Sequence, residues 1–134
     1  MTQQGRLDAV VRIVSREQWP RALLRAELIE RGYDARGFLS VEDALADSLR
    51  DRGARPRALV LDLSDLEFTP LQVSSLAAAD IPMIILGGGA ELASQSLEAF
   101  PGACILKRPF MISDIVALID RIVHRSGPCP ESTP

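Results

Sequence analysis

The sequence predicts an α/β domain: a doubly wound, five-stranded parallel sheet with helices on both faces, three layers in all (αβα). Three observations predict it. Short apolar runs recur five times along the chain, and each is followed by a segment with helical spacing, so the order is βα repeated. The links between them are short, as right-handed crossover units require. The third and fourth runs, ALVLDL and MIIL, are apolar at successive positions, the pattern of strands buried on both faces.

Each element has its own signal. Ala9–Val14 (AVVRIV) is β-branched and reads as the first strand. Trp19–Arg31 reads as the first helix. Pro20 sits in its first turn, where proline is tolerated. Leu24 and Leu28 form its apolar stripe, and Gly32 ends it. Asp34–Phe38 is a weaker second strand. Ser40 is an N-cap for a second helix, with Asp43 in the first turn, and that helix runs to about Asp51. A polar loop with Gly53 and Pro56 leads to the third strand, Ala58–Leu63. A helix follows Pro70 over Leu71–Ala79. Met83–Leu86 is the fourth strand and runs into Gly87-Gly88-Gly89. Glu91–Phe100 is expected to be helical, Ala103–Leu106 to be the fifth strand, and Ser113–His124 to be an amphipathic helix. Ile115, Leu118, Ile119 and Ile122 are its inward face. The domain is placed at residues 5–126, and residues 127–134 are expected to be a disordered tail.

Bulk properties narrow the function. The chain has 134 residues, enough for one domain with its own core. Hydrophobic residues make up 47%, which argues against disorder. The net charge is −3 with both signs interspersed, so there is no basic footprint for nucleic acid and no basic stripe for a membrane. Aromatic residues are 4%, too few for a base-stacking platform. No apolar run has the length to span a bilayer. The N-terminus, MTQQGRLDAV, lacks signal-peptide character. A cytoplasmic protein is expected. Two cysteines assemble neither a disulfide framework nor a thiol zinc site. Cys104, in an apolar run, is expected in the core, and Cys129, in a proline-rich stretch, is incidental.

Asp62 closes the third strand. In parallel sheets, ligands and chemistry gather beyond the carboxyl ends of the strands. Asp62 is therefore a candidate by position, either for chemistry or as a cap for the following turn. Further landmarks stand in a fixed order: Ile13-Val14-Ser15-Arg16-Glu17, Glu30-Arg31-Gly32-Tyr33, Ser40-Val41-Glu42-Asp43-Ala44-Leu45, Leu61-Asp62-Leu63, Ile81-Pro82-Met83-Ile84-Ile85-Leu86 and Arg108-Pro109-Phe110. Together they resemble the response-regulator receiver domain, the phosphorylatable module of two-component signalling, over roughly residues 9–124. The resemblance implies a flavodoxin-like (βα)5 fold, Asp62 as phosphoacceptor, and a cis peptide at Arg108-Pro109.

The resemblance also implies partners for Asp62 that this chain lacks. The acidic pair after the first strand maps to Ser15 and Arg16, with Glu17 one step out of register. The hydroxyl position maps to Gly87, the lysine position to Arg108, and the aromatic position on the fifth strand to Ile105. Lys107 adjoins Arg108, but on a strand it should point to the other face. Glu17 and Asp62 are the weak candidates for Mg²⁺, which wants oxygen ligands. No cofactor is expected unless the phosphorylation site still functions. Arg16 and Arg108 beside Asp62 would compensate its charge and repel a divalent cation. Gly87-Gly88-Gly89 reads either as an anion-binding nest of N–H groups or as a plain loop.

The reading is a degenerate, or pseudo-, receiver: a stand-alone signalling module acting by protein–protein contact. Its expected partners are a histidine kinase or a downstream regulator. A homodimer through the fourth helix, fifth strand and fifth helix is a further expectation. There Glu91, Glu98, Lys107, Asp114, Asp120 and Arg121 offer charges. No nucleophile–base pair and no phosphate loop is present, so no enzyme is expected. The alternative is an anti-sigma-factor antagonist (STAS-like) domain. It rests on Leu61–Phe68 and on Ser74-Ser75, and it requires a mixed sheet.

Overall fold

The computed structural model describes residues 9–50, 56–64, 68–93 and 97–125, with backbone alone at residues 19, 48–50 and 125. In chain order the elements are β1 (Val10–Val14), α1 (Gln18–Glu30), β2 (Asp34–Phe38), α2 (Val41–Arg50), β3 (Pro56–Asp62), α3 (Pro70–Ala79), β4 (Met83–Gly87), α4 (Gly89–Ala93), a 3₁₀ turn (Leu97–Ala99), β5 (Cys104–Lys107) and α5 (Ile112–Arg125). The strands form one sheet in the order β2-β1-β3-β4-β5, and every neighbouring pair is parallel. The chain runs from β1 outward to β2, then returns past β1 to β3. That reversal puts the switch point between β1 and β3, whose carboxyl ends meet at Ser15 and Asp62.

Alternation along the strands builds two cores. Val11, Ile13, Val60 and Ile84 face α1 and α5, where Leu28 and Ile119 are fully buried. Val14, Leu59, Leu61 and Ile85 face α2 and α3, where Val41 and Leu76 are buried. Each such side chain contributes about 1.5–3 kcal/mol of transfer free energy, so the sheet is clamped from both sides. At α3 the N-cap is Thr69. Its hydroxyl accepts from the Gln72 N–H at 3.2 Å, and the Gln72 side chain accepts from the Thr69 N–H at 3.0 Å. This capping box fixes where the chain re-enters a helix after the β3 turn. Asp80 closes α3 in the left-handed region at φ 54°.

Several expectations need correction. Within the span expected as a helix over Glu91–Phe100, the described residues are helical at Gly89–Ala93 and form a 3₁₀ turn at Leu97–Ala99. β3 starts and ends slightly earlier than expected, and β5 is shifted by one residue. The strand reading AVVRIV passed over Arg12, which is 0% exposed in the middle of β1. Its guanidinium pairs with Asp47 of α2 at 3.1 Å. Asp47 also holds Arg36 at 3.1 Å, the register partner of Arg12 on β2. Asp34's hydrogen bond, reinforced by its charge and by Asp47, raises the Arg36 pKa further above its ordinary value.

Cys104 is buried in the core, as expected, but its sulfur is disulfide-bonded and not a free thiol. Cys129, residues 5–8 and 126 of the expected domain, and the expected tail lie outside the described residues. The Arg108-Pro109 peptide is cis. His124 is exposed near the end of α5. Among the described residues no helix is long and apolar enough to cross a membrane.

Candidate functional site

Asp62 ends β3 and is 4% exposed. Register decides its first neighbour. Val14 of β1 stands opposite Leu61 of β3, so the next residues, Ser15 and Asp62, come side by side. The Ser15 hydroxyl donates to Asp62 Oδ2 at 2.9 Å. The Ser64 N–H donates to Oδ1 at 3.1 Å, which is an Asx-type turn closing β3. Arg108 Nη2 donates to the same Oδ1 at 3.4 Å. Both carboxylate oxygens are therefore engaged by the chain itself, and the buried charge is compensated as burial requires.

Arg108 is placed by the end of the sheet. Its N–H donates to the Gly87 carbonyl at 2.9 Å, one step beyond the Gly87–Lys107 register pair. Its guanidinium then reaches back across the crevice. Besides Asp62 it donates to the Ser64 hydroxyl and, from Nη1, to Glu91 Oε1 at 2.8 Å. It also lies 5.6 Å over the Phe110 ring, a cation–π contact. One planar fork thus joins two carboxylates, a hydroxyl and a ring, a task suited to arginine over lysine.

Glu91 belongs to α4. Its Oε1 also accepts from the Gly88 N–H at 2.7 Å. That hydrogen bond, together with the nearby Arg108 charge and against the opposing effect of burial, holds the Glu91 carboxyl below the usual carboxylate range. Gly87 makes room for it. A Cβ at Gly87 would stand 3.3 Å from Glu91 Oε1 and 3.4 Å from Leu63 Cβ. Of the two readings of the glycine run, the anion nest has an occupant from the same chain: the Gly88 amide already serves Glu91.

Of the residues singled out in the sequence, the structure gathers Asp62, Ser15, Gly87 and Arg108. It does not bring in Arg16, which is exposed and makes no hydrogen bond or ion pair among the described residues. The expected pair of arginines around Asp62 is therefore one arginine and one serine. Glu17 is exposed but lines the cavity beside Asp62, and its N–H donates to the Ser15 hydroxyl at 3.2 Å. Pro109 is exposed after its cis bond. Lys107 lies beside Gly89, with Nζ 3.7 Å from where a Gly89 Cβ would be. Ser64 and Glu91 are the site residues that the sequence reading missed. Their signals were present: a serine two residues after an aspartate at a strand end, and a glutamate three residues after a glycine that opens a short helix.

Charges expected on the α4–β5–α5 face are partly used inside the molecule. Asp120 accepts from the Tyr33 hydroxyl and lies 3.5 Å from Arg31. Asp114 caps α5 by accepting from the Met111 N–H at 2.8 Å. Ile105 is 43% exposed on that face. A cavity of about 280 Å³ opens beside Asp62, lined by Ser15, Glu17, Arg21 and Arg108 together with apolar side chains.

The residues present do not fit Mg²⁺. The ion takes several oxygen ligands, with carboxylates foremost. Among the described residues the carboxylates lining the crevice are Asp62 and the exposed Glu17, and Asp62 has both oxygens engaged and lies beside a guanidinium. Among the described residues no group of three His, Cys, Asp or Glu side chains could hold a metal ion.

Compared with solved structures, the fold is that of response-regulator receiver domains. A receiver-domain protein from Clostridium thermocellum aligns at TM-score 0.71 and 16% identity, over 88% of this chain and 96% of that one. The beryllofluoride-activated NtrC receiver domain aligns at TM-score 0.68 and 20% identity, over 90% and 98%. NtrX from Brucella abortus aligns at TM-score 0.68 and 23% identity, over 89% of this chain and 28% of that one. Identities this low establish the fold alone. No protein-family model matches the chain, and no curated protein matches it. The sheet is parallel throughout, so the antagonist-like alternative, which requires a mixed sheet, finds no support.

Proposed function

We propose that the chain is a receiver-like signalling module of the two-component type, that it works by protein–protein contact, and that it has lost Mg²⁺-dependent phosphorylation of Asp62. The observation that carries this reading is that both oxygens of Asp62 are engaged by donors of the same chain. Its two oxygens accept from Ser15, Ser64 and Arg108, and among the described residues lining its cavity Glu17 alone brings a second carboxylate. Phosphoryl transfer needs a free nucleophilic oxygen, an in-line approach and charge neutralisation on the transferred group. Arg108 supplies positive charge, but it spends that charge on two carboxylates of the same chain.

The module is non-catalytic in this reading. Its partner is a histidine kinase, a downstream regulator, or a second copy meeting the α4–β5–α5 face, where Ile105 and Lys107 are exposed. Two-component signalling places it in the cytoplasm. The disulfide at Cys104 pulls the other way, since such bonds are rare in reducing compartments.

The test is incubation with acetyl phosphate and Mg²⁺, followed by intact mass measurement. The expected result is an unmodified chain. Gain of one acyl phosphate that is absent in Asp62→Asn would overturn the reading.

A further inference from the structure

We infer that Glu91 is a built-in plug: its carboxylate fills the oxyanion position formed by the Gly88 N–H and the Arg108 guanidinium, and so holds the β4–α4 loop in one arrangement without a bound anion. The inference rests on the reading of Asp62 as unphosphorylated and adds how the site is kept closed.

Three features on one atom support it. Glu91 Oε1 accepts from Gly88 at 2.7 Å and from Arg108 at 2.8 Å, both within the range of strong, charge-assisted bonds. The same atom lies 3.3 Å from where a Gly87 Cβ would stand, so a larger residue at position 87 would crowd it. Arg108 holds Glu91 through one terminal nitrogen and Asp62 through the other. The plug therefore ties the ends of β3, β4 and β5 together, and α4 is anchored by a side chain one turn into it. α4 is five residues long and exposes most of its surface. Leu92 packs against the core under α2 and α3, and the Glu91 contacts are the polar anchor of α4.

Removing the carboxylate should leave a vacant donor pair. The probe is inorganic phosphate at millimolar concentration, followed by amide chemical shifts in the wild type, Glu91→Ala, Glu91→Gln and the double variant Glu91→Ala/Arg108→Ala. The wild type is expected to be silent. Glu91→Ala is expected to show saturable shifts at Gly88 and Arg108. Glu91→Gln keeps the Gly88 contact without the charge and should bind more weakly than Glu91→Ala. The double variant should bind at least about tenfold more weakly than Glu91→Ala. Equal phosphate binding by the wild type, a silent Glu91→Ala with a dispersed spectrum, or undiminished binding by the double variant would each overturn the plug. Acyl phosphate on wild-type Asp62 would instead remove the reading beneath it, and the mass measurement reports that separately.

Discussion

Two arginine–aspartate networks flank β1 and β3, and they bury opposite partners. Between β1, β2 and α2, the arginine is inside: the Arg12 side chain is 1% exposed, while Asp47 is 23% exposed. At the strand ends, the aspartate is inside: the Asp62 side chain is 6% exposed, while Arg108 is 39% exposed. Arginine keeps its proton under all ordinary conditions, so burying Arg12 buries a permanent charge, which Asp47 compensates. The pair acts as a staple that fixes α2 over β1 and β2. The Asp62 network has its solvent-facing member, Arg108, on the outside. It can be rearranged by moving one side chain, and it faces the crevice where parallel sheets bind their ligands. Which partner is buried separates the structural pair from the site.

The comparison can be broken most forcefully at Asp47. Asp47→Ala strands the buried Arg12 charge and should cost about 3–5 kcal/mol, the usual penalty for breaking a buried pair. Urea unfolding measures it; a loss below 1 kcal/mol would mean that Arg12 is not a staple. Arg108→Ala comes next. Asp62 keeps its bonds from Ser15 and Ser64, so the expected loss is about 1–3 kcal/mol by the same measurement. If the two losses were equal, burial of the arginine would not be the deciding difference. Thr69→Ala lies outside both networks and removes the α3 capping box, for about 1 kcal/mol. It calibrates the other two.

The smallest effect is the pH dependence of Glu91. Its folded pKa lies below the ordinary 4.5. A lowered carboxyl pKa contributes stability that is present above the unfolded value and lost as pH falls through the folded one. The melting temperature of the wild type should therefore exceed that of Glu91→Gln at neutral pH, and the gap should close below the ordinary glutamate range. Glu91 is 35% exposed at its side chain, so added salt should also narrow the gap. A gap that widened in acid would contradict the assignment.

The fold was legible where apolar runs and turn residues coincide. MIIL before three glycines and Gly32 after α1 each state their geometry locally, while the cis Arg108-Pro109 peptide was what the resemblance implied. Asp62 was legible too, because a carboxylate at the end of a buried strand is conspicuous. What could not be read depends on side chains meeting across the sheet. Arg12 looks like a flaw in a strand until α2 brings Asp47 to it. Arg16 and Arg108 look equivalent as partners of Asp62, yet Arg16 turns to solvent after β1, and Ser15 takes the register position beside the carboxylate. Glu91 looked like surface charge on a helix. Its role appears only once Gly87 leaves a space, Gly88 offers an amide and Arg108 arrives from β5.

The most direct test of the central claim is an amide NMR titration with Mg²⁺ followed by beryllium fluoride, an acyl-phosphate mimic. An Asp62 with both oxygens engaged by Ser15, Ser64 and Arg108 should leave the spectrum unchanged at millimolar Mg²⁺ and after beryllium fluoride. Shifts centred on Asp62 and spreading to Gly87 and Ile105 would show that the carboxylate is free to take a phosphoryl group and that the site is an intact switch.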